Sequence, residues 1–332
     1  MSGPLAATLP ASWPKAHGEL VASAIFKMLP EDFIVEEVLP YELSGDGEFE
    51  FLWVEKVQLT TEQAASAIAR FAGLPKRSVS WSGMKDKFSI SRQWLAVHLP
   101  GKSAPDWQGL NQHGLSVLKS IRHKKKLRVG NHSHNRFIIR LREVTGEQED
   151  LENKLQQIAA LGVPNYFGEQ RFGRAGGTLD SACDWLAAGQ EKLPNFKRGL
   201  YLSCFRAFLF NQVLAERVEA NVWNTPLAGD RLELRGSHSH FSYDAQSETD
   251  ERIAQGDLSP VASLYGRGDQ LLAEDALAIE EALLAKYPEI VSCLSLRTEI
   301  AYRALRALPE NMQWQWLDQP SGDLPDLRLS FG

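Results

Sequence analysis

The chain has 332 residues, 43% hydrophobic and 23% charged, which is the balance of a soluble globular protein long enough for two domains. No apolar run approaches the roughly 18–20 residues that span a bilayer, and the opening stretch, with Pro4, Pro10 and Pro14 and no basic start, does not read as a signal peptide. Cys183, Cys204 and Cys293 lie far apart without Cys-x-x-Cys spacing, which argues against a disulfide framework or a zinc site and suits the reducing cytoplasm.

In chain order, "EDFIVEEVLP" and "EFEFLWVEKV" alternate as strands, the first opening on Phe33. A core position is the plainer reading for that ring. "LTTEQAASAIARFAGLP" predicts a helix, with Thr60 and Gln63 at capping-box spacing and Gly73 and Pro75 as the stop. Two strand-like runs then flank "SGMKDKF", a turn that opens with Gly83 and sets Asp86 between Lys85 and Lys87. In an extended segment both lysines would face away from Asp86. Their charges favour an anionic carboxylate, suited to a nucleophile or base. Read alone, the turn is more plainly an ordinary charged surface.

The net charge of −6 hides a basic strip. Between Lys119 and Arg142 stand nine Lys/Arg and no acid, so the rest of the chain carries −15. Such a strip binds polyanions locally. It includes Lys124, Lys125, Lys126 and Arg128, followed by a strand whose Arg136, Arg140 and Arg142 share one parity. His132 and His134 lie close together, but no third ligand follows at metal spacing.

After about Thr145 helical periodicity takes over, beginning with Leu151, Leu155, Ile158 and Leu161. "TLDSACDWLAAG", "LYLSCFRAFLFNQVLAERVEA", "AEDALAIEEALLAKYP" and "RTEIAYRALRALP" also read as helices, and "DLRLSF" returns to a strand. Between the helix of residues 151–161 and "TLDSACDWLAAG", the stretch "VPNYFGEQRFGRAGG" gathers Tyr166, Phe167 and Phe172 with Asn165, Gln170, Arg171 and Arg174. Those aromatics can stack bases and those arginines can hold phosphate, or the segment is a glycine-turned structural corner.

Taken together, "KMLPEDFIVEE", "GMKDK", "NRF", "VPNYFGEQRFG" and "SCFRAFLFNQVLAERV" resemble, in order and from about Lys27 to Phe331, the bacterial members of the TruD family of tRNA pseudouridine synthases. The resemblance implies an α+β fold. A pseudouridine-synthase catalytic domain with a mixed or antiparallel sheet (residues 1–160 and 310–332) would be interrupted by a largely helical inserted domain (161–309). It implies isomerisation of uridine to pseudouridine in tRNA, at position 13, in the cytoplasm, without cofactor, metal or evident protein partner. Asp86 matches the family's catalytic aspartate, Phe33 its base-contacting aromatic and Asn135 its site asparagine. Phe137 is expected as support for Asn135, Lys27 as a lysine near the site, and Lys85 as facing the flanking phosphates beside Lys87. Lys124, Lys125, Lys126, Arg128, Arg136 and Arg171 are the expected RNA contacts. Family members continue past the last strand with Leu-Pro-Ala-Gly-Ser-Phe and a helix, where this sequence stops at Gly332. On that ground reduced stability and activity are expected of it, and the alternative reading is a non-catalytic RNA-binding or RNA-folding protein.

Overall fold

The structure is a computed structural model that describes residues 9–10, 12–110, 114–237, 239–245, 247–317 and 322–332. The opening residues on which the signal-peptide reading partly rests lie outside this set. In chain order the elements are β1 (Ile25–Phe26), β2 (Phe33–Val38), β3 (Phe49–Val57), α1 (Thr61–Phe71), β4 (Val79–Trp81), β5 (Ile90–His98), β6 (Leu115–His123), β7 (His134–Arg142) and α2 (Gln148–Leu161). There follow β8 (Val163–Pro164), α3 (Gly177–Ala187), α4 (Asn195–Glu219), β9 (Arg231–Leu234), β10 (His240–Ser242), α5 (Ser247–Ala254), β11 (Leu258–Leu264), α6 (Glu274–Leu284) and α7 (Pro288–Arg297). The last are β12 (Ala301–Ala304), β13 (Arg306–Ala307), β14 (Gln313–Leu317) and β15 (Asp326–Phe331).

The chain divides into two compact units, one made of Leu20–Glu152 with Pro309–Gly332, the other of Asn153–Leu308 with the described part of Met1–Glu19. The division falls inside α2.

The first unit is a nine-stranded sheet in the order β14-β15-β7-β2-β5-β3-β6, with β1 added to β7 and β4 to β5. Every pairing is antiparallel except β2 with β5. The capping box at the start of α1 forms as its spacing predicts: Gln63 N donates to Thr60 Oγ1 at 3.1 Å and Thr60 N to Gln63 Oε1 at 2.8 Å. Ala64, Ala65, Ile68 and Ala69 form the buried stripe of α1 and pack on Leu52, Val54 and Leu95 of β3 and β5. Directly paired residues share a face of a sheet. The pairings Lys56–Ser91, Ser91–Val35, Val35–Phe137 and Phe137–Phe331 therefore run one row of side chains across five strands, on the face that α1 partly covers. Ion pairs tie β7 into this unit. Asp326 (side chain 0% exposed) meets Arg140 at 2.6 Å, and Asp32 (0%) meets Arg142 at 2.8 Å.

The second unit is built around α4, whose Tyr201, Cys204, Phe205, Phe208 and Leu209 meet Leu179, Trp185, Ile290 and Leu294 of α3 and α7. It also carries a four-stranded antiparallel sheet, β10-β9-β11-β12. This corrects the helical reading of "RTEIAYRALRALP": β12 pairs with β11, β13 pairs with β8, and Arg306 is buried, its guanidinium donating to the carbonyls of Ile253 and Leu258. Those two carbonyls supply the acceptors a buried arginine needs. "VPNYFGEQRFG" is a packed corner, not a stacking platform. Phe172 is fully buried, Phe167 stands edge-on to Phe210 at 5.6 Å, and the Asn211 amide bonds both the N–H and the C=O of Phe167. Gly173 has φ +81°, and a Cβ there would meet Thr178 Oγ1 at 2.3 Å, so the corner requires glycine. Among the described residues no helix is long and apolar enough to cross a membrane.

Candidate active site

Asp86 lies on the loop between β4 and β5, held from beneath by bonds to its backbone. Lys85 N donates to Thr61 Oγ1 at 3.0 Å, Gln93 Nε2 to the Gly83 carbonyl at 3.2 Å, and Ser89 Oγ to the Asp86 carbonyl at 2.9 Å. The buried ammonium of Lys56 donates to the Asp86 and Leu59 carbonyls, each at 2.8 Å. The backbone is thereby fixed while the Asp86 side chain, 52% exposed, points outward. Its Oδ2 accepts from Lys27 Nζ at 2.7 Å.

Lys27 follows the short β1 with φ +56°, a left-handed conformation that costs a non-glycine residue. Its ammonium lies 3.7 Å from the centre of the Phe33 ring. Phe33 stands edge-on to Phe26 at 5.7 Å and 6.0 Å from Phe137, which is itself 5.5 Å from Phe331. These rings share a face because Phe33 opens β2, Phe137 lies diagonally across on β7 and Phe331 pairs with Phe137 from β15. On the same face Asn135 pairs with Glu37, and its Oδ1 is buried without a hydrogen-bond partner in the protein.

Lys85 is not where its sequence position suggested. Its side chain is 5% exposed, and its ammonium pairs with the wholly buried Glu37 carboxylate at 2.8 Å. The loop is not a regular strand, so strict alternation does not govern it. Only Lys87, its exposed neighbour, faces solvent in the expected manner.

The basic strip divides in two. Arg140 and Arg142 are held in the ion pairs described above, and Arg136 lies on the opposite face from Asn135 and Phe137, 3.9 Å from Glu36. Lys124, Lys125, Lys126 and Arg128 are exposed, and Lys124 makes one surface pair with Asp46 at 3.2 Å. Lys125, Lys126 and Arg128 line an open cleft of about 640 Å³ with Tyr41, Glu42, His123 and Asn131. The Tyr41 and His123 rings in its lining stack on each other at 5.4 Å, and burial, then Lys125, holds the His123 imidazolium below its ordinary range. Arg171 is exposed on the second unit, donating to Ser203 Oγ at 3.0 Å. Among the described residues no group of three His, Cys, Asp or Glu is placed to hold a metal ion.

Sequence reading missed Glu37, Lys56, Phe26 and Phe331. The acid and the lysine resembled ordinary strand-end charges, and the two phenylalanines alternating core positions.

The site is a backbone-pinned, outward carboxylate beside a row of rings on one face of the mixed sheet of an α+β protein. The family model for tRNA pseudouridine synthase D (TruD) matches residues 22–180 and 178–290. The tRNA pseudouridine synthase D of Hydrogenovibrio crunogenus is 41% identical over 92% of this chain and 88% of its own length. That of Pseudomonas putida strain W619 is 44% identical over 96% and 89%. A crystal structure from Methanosarcina mazei assigned to TruD superposes with a TM-score of 0.72, covering 93% of this chain and 90% of that one at 19% identity, which supports the fold. The chain belongs to the TruD family of tRNA pseudouridine synthases.

Proposed function

We propose that this chain isomerises uridine to pseudouridine in tRNA, at position 13, in the cytoplasm, with Asp86 as the reacting carboxylate. The observation that carries the reading is the exposed Asp86 carboxylate, backbone-pinned and paired with Lys27, beside the rings of Phe33, Phe137 and Phe331. The reaction breaks N1–C1′, turns the base and joins C5 to C1′, with a proton leaving C5 and one arriving at N1. A folded RNA hides these atoms, so the nucleotide must be extruded. The ring row offers a stacking surface to the extruded uracil, and the orphaned Asn135 Oδ1 is an acceptor for its N3–H or a ribose hydroxyl. The carboxylate has two routes, attack on C1′ or removal of a ribose C2′ proton, and both need the anion. Lys27 stabilises that anion and holds its direction. Lys85 supports the loop from below through Glu37, and Lys124, Lys125, Lys126, Arg128 and Arg171 meet the RNA backbone.

The test is incubation with unmodified tRNA transcripts followed by mapping of pseudouridine. Conversion of a single uridine supports the reading. Tight binding without conversion would leave a non-catalytic RNA-binding protein.

The exposed lysines give a second expected result. tRNA affinity falls steeply with salt in spite of the net charge of −6, because counterion release follows local charge. Replacing Lys124, Lys125 and Lys126 together by glutamine lowers the slope of log K against log salt by about 2–3, at roughly 0.7–0.9 per phosphate contact. An unchanged slope in titrations between 50 and 200 mM salt would make the strip a solvated surface only.

A further inference from the structure

Lys56 stands at the end of β3 with its side chain fully buried, a costly place for an ammonium. Its partners are unusual for a buried lysine: among the described residues it forms no ion pair with a carboxylate. Nζ donates at 2.8 Å to the carbonyls of Leu59 and Asp86, and lies 3.4 Å from the Lys85 carbonyl and from Ser91 Oγ. Two of these four acceptors are the consecutive carbonyls of Lys85 and Asp86. Neutral carbonyls offset little of the charge's desolvation, so a methionine-like chain would fill the space more cheaply.

We propose that Lys56 is a positioning residue for the reaction, its buried ammonium gathering the carbonyls of Lys85 and Asp86 so that the Asp86 carboxylate is held where the extruded nucleotide meets it. The proposal rests on the functional reading above. Ser89 Oγ and the Thr61 and Gln93 side chains brace the same loop, but Lys56 puts a charged donor directly on the Asp86 carbonyl. Burial pushes the Lys56 ammonium down to about 8, with Asp86 acting to raise it and Lys85 to lower it. Glu37, which pairs with Lys85, is the other charge in this network, while the residues in register with Lys56, Leu115 on β6 and Ser91 on β5, carry no charge.

The positioning charge is thus present at neutral pH and lost through weakly alkaline pH. Catalysis and stability then diverge. The unfolded chain keeps the lysine proton to the ordinary range near 10.5, so from about 8 upward rising pH favours the folded state on this group's account. A merely structural role has no reason to weaken catalysis over that range.

The experiment measures single-turnover conversion at saturating tRNA, tRNA affinity and melting temperature for wild type and Lys56→Met between pH 7 and 9.5. Wild type is expected to lose rate above a break near 8, about tenfold per unit, while its affinity holds and its melting temperature does not fall. Lys56→Met is expected to be slower at pH 7.5 by on the order of 10²-fold, the effect of a misplacement near 1 Å, with affinity within a few-fold and no break near 8. Equal rates for the two proteins, or the same alkaline break in both, overturn the proposal. If Lys56→Met does not melt cooperatively, the wild-type profile decides: a break near 8 without a fall in melting temperature supports it, and a flat rate to pH 9.5 overturns it. Wild type that converts no uridine at any pH overturns the functional reading itself, and this inference with it.

Discussion

Replacing Asp86 by asparagine is expected to abolish conversion of uridine while leaving tRNA affinity within a few-fold and the melting temperature nearly unchanged. The reason lies in how the loop is held. The bonds from Thr61, Gln93, Ser89 and Lys56 run to backbone atoms of Gly83, Lys85 and Asp86, the Lys85 ammonium ties the loop to Glu37, and none of these uses the Asp86 carboxylate. Among the described residues the carboxylate's direct partner is Lys27 Nζ at 2.7 Å, and an amide oxygen can still accept that bond, though more weakly. The side chain is 52% exposed, so the substitution removes little packing, and surface changes of this kind usually stay within about 0.5 kcal/mol. The charge alone is lost. Both routes open to Asp86 require it, since an amide neither attacks C1′ nor takes a proton from C2′ at neutral pH. A loss of at least about 10⁴-fold corresponds to roughly 5.5 kcal/mol of transition-state stabilisation. Single-turnover assays on protein purified without wild-type carry-over would read it. Turnover within about tenfold of wild type would move the chemistry to another group.

The parts of the fold that the sequence made legible are those whose causes are local. Thr60 and Gln63 announced the start of α1 because both halves of a capping box lie within four residues. The alternation in "FEFLWVEKV" announced β3, and Asp86 stood out through its two flanking lysines on a glycine-led turn. What was not legible depends on partners distant in sequence. Glu37 looked like one more exposed acid in "FIVEEV". Its burial follows from β2 lying parallel to β5, which brings Lys85 to it across 48 positions. Lys56 carried no signal because its main partners are carbonyls, which every residue has. "AYRALRALP" has helical spacing, but two non-local pairings, β12 with β11 and β13 with β8, override it. The aromatics of "VPNYFGEQRFG" suggested a stacking surface, whereas Asn211 and the α4 phenylalanines enclose them in a core. The TruD resemblance pointed to Lys27, Phe33, Asp86 and Asn135 in chain order, but gave no indication of which charges lay beneath them.

The second large effect is expected at Glu37. Its carboxylate is wholly buried, one oxygen accepting from Lys85 Nζ at 2.8 Å and the other from Trp94 N at 3.3 Å. Lys85 is 5% exposed, so each charge depends on the other. A buried ion pair adds little net stability compared with apolar residues of the same shape, because desolvation offsets most of the attraction. Removing one partner is different, since it strands the other charge out of water at a cost of about 3–5 kcal/mol. Glu37→Leu should therefore destabilise its unit strongly. At about 2–4 °C per kcal/mol for a unit of this size, the melting temperature falls by roughly 6–20 °C. Lys85→Met should do the same from the other side. The double variant, Glu37→Leu with Lys85→Met, should regain most of the loss, because it leaves no unpaired buried charge. Catalysis should not follow stability back. Lys85 adjoins Asp86 and its side chain anchors the loop to β2, so the double variant folds with the aspartate less firmly directed. The expected result is a melting temperature near wild type with single-turnover conversion still depressed by about 10²-fold, the effect of a small misplacement of a reacting group. A double variant as unstable as either single one would mean that the pair itself stabilises the fold. Full activity in that variant would show that Lys56, Thr61, Ser89 and Gln93 hold the loop without Lys85.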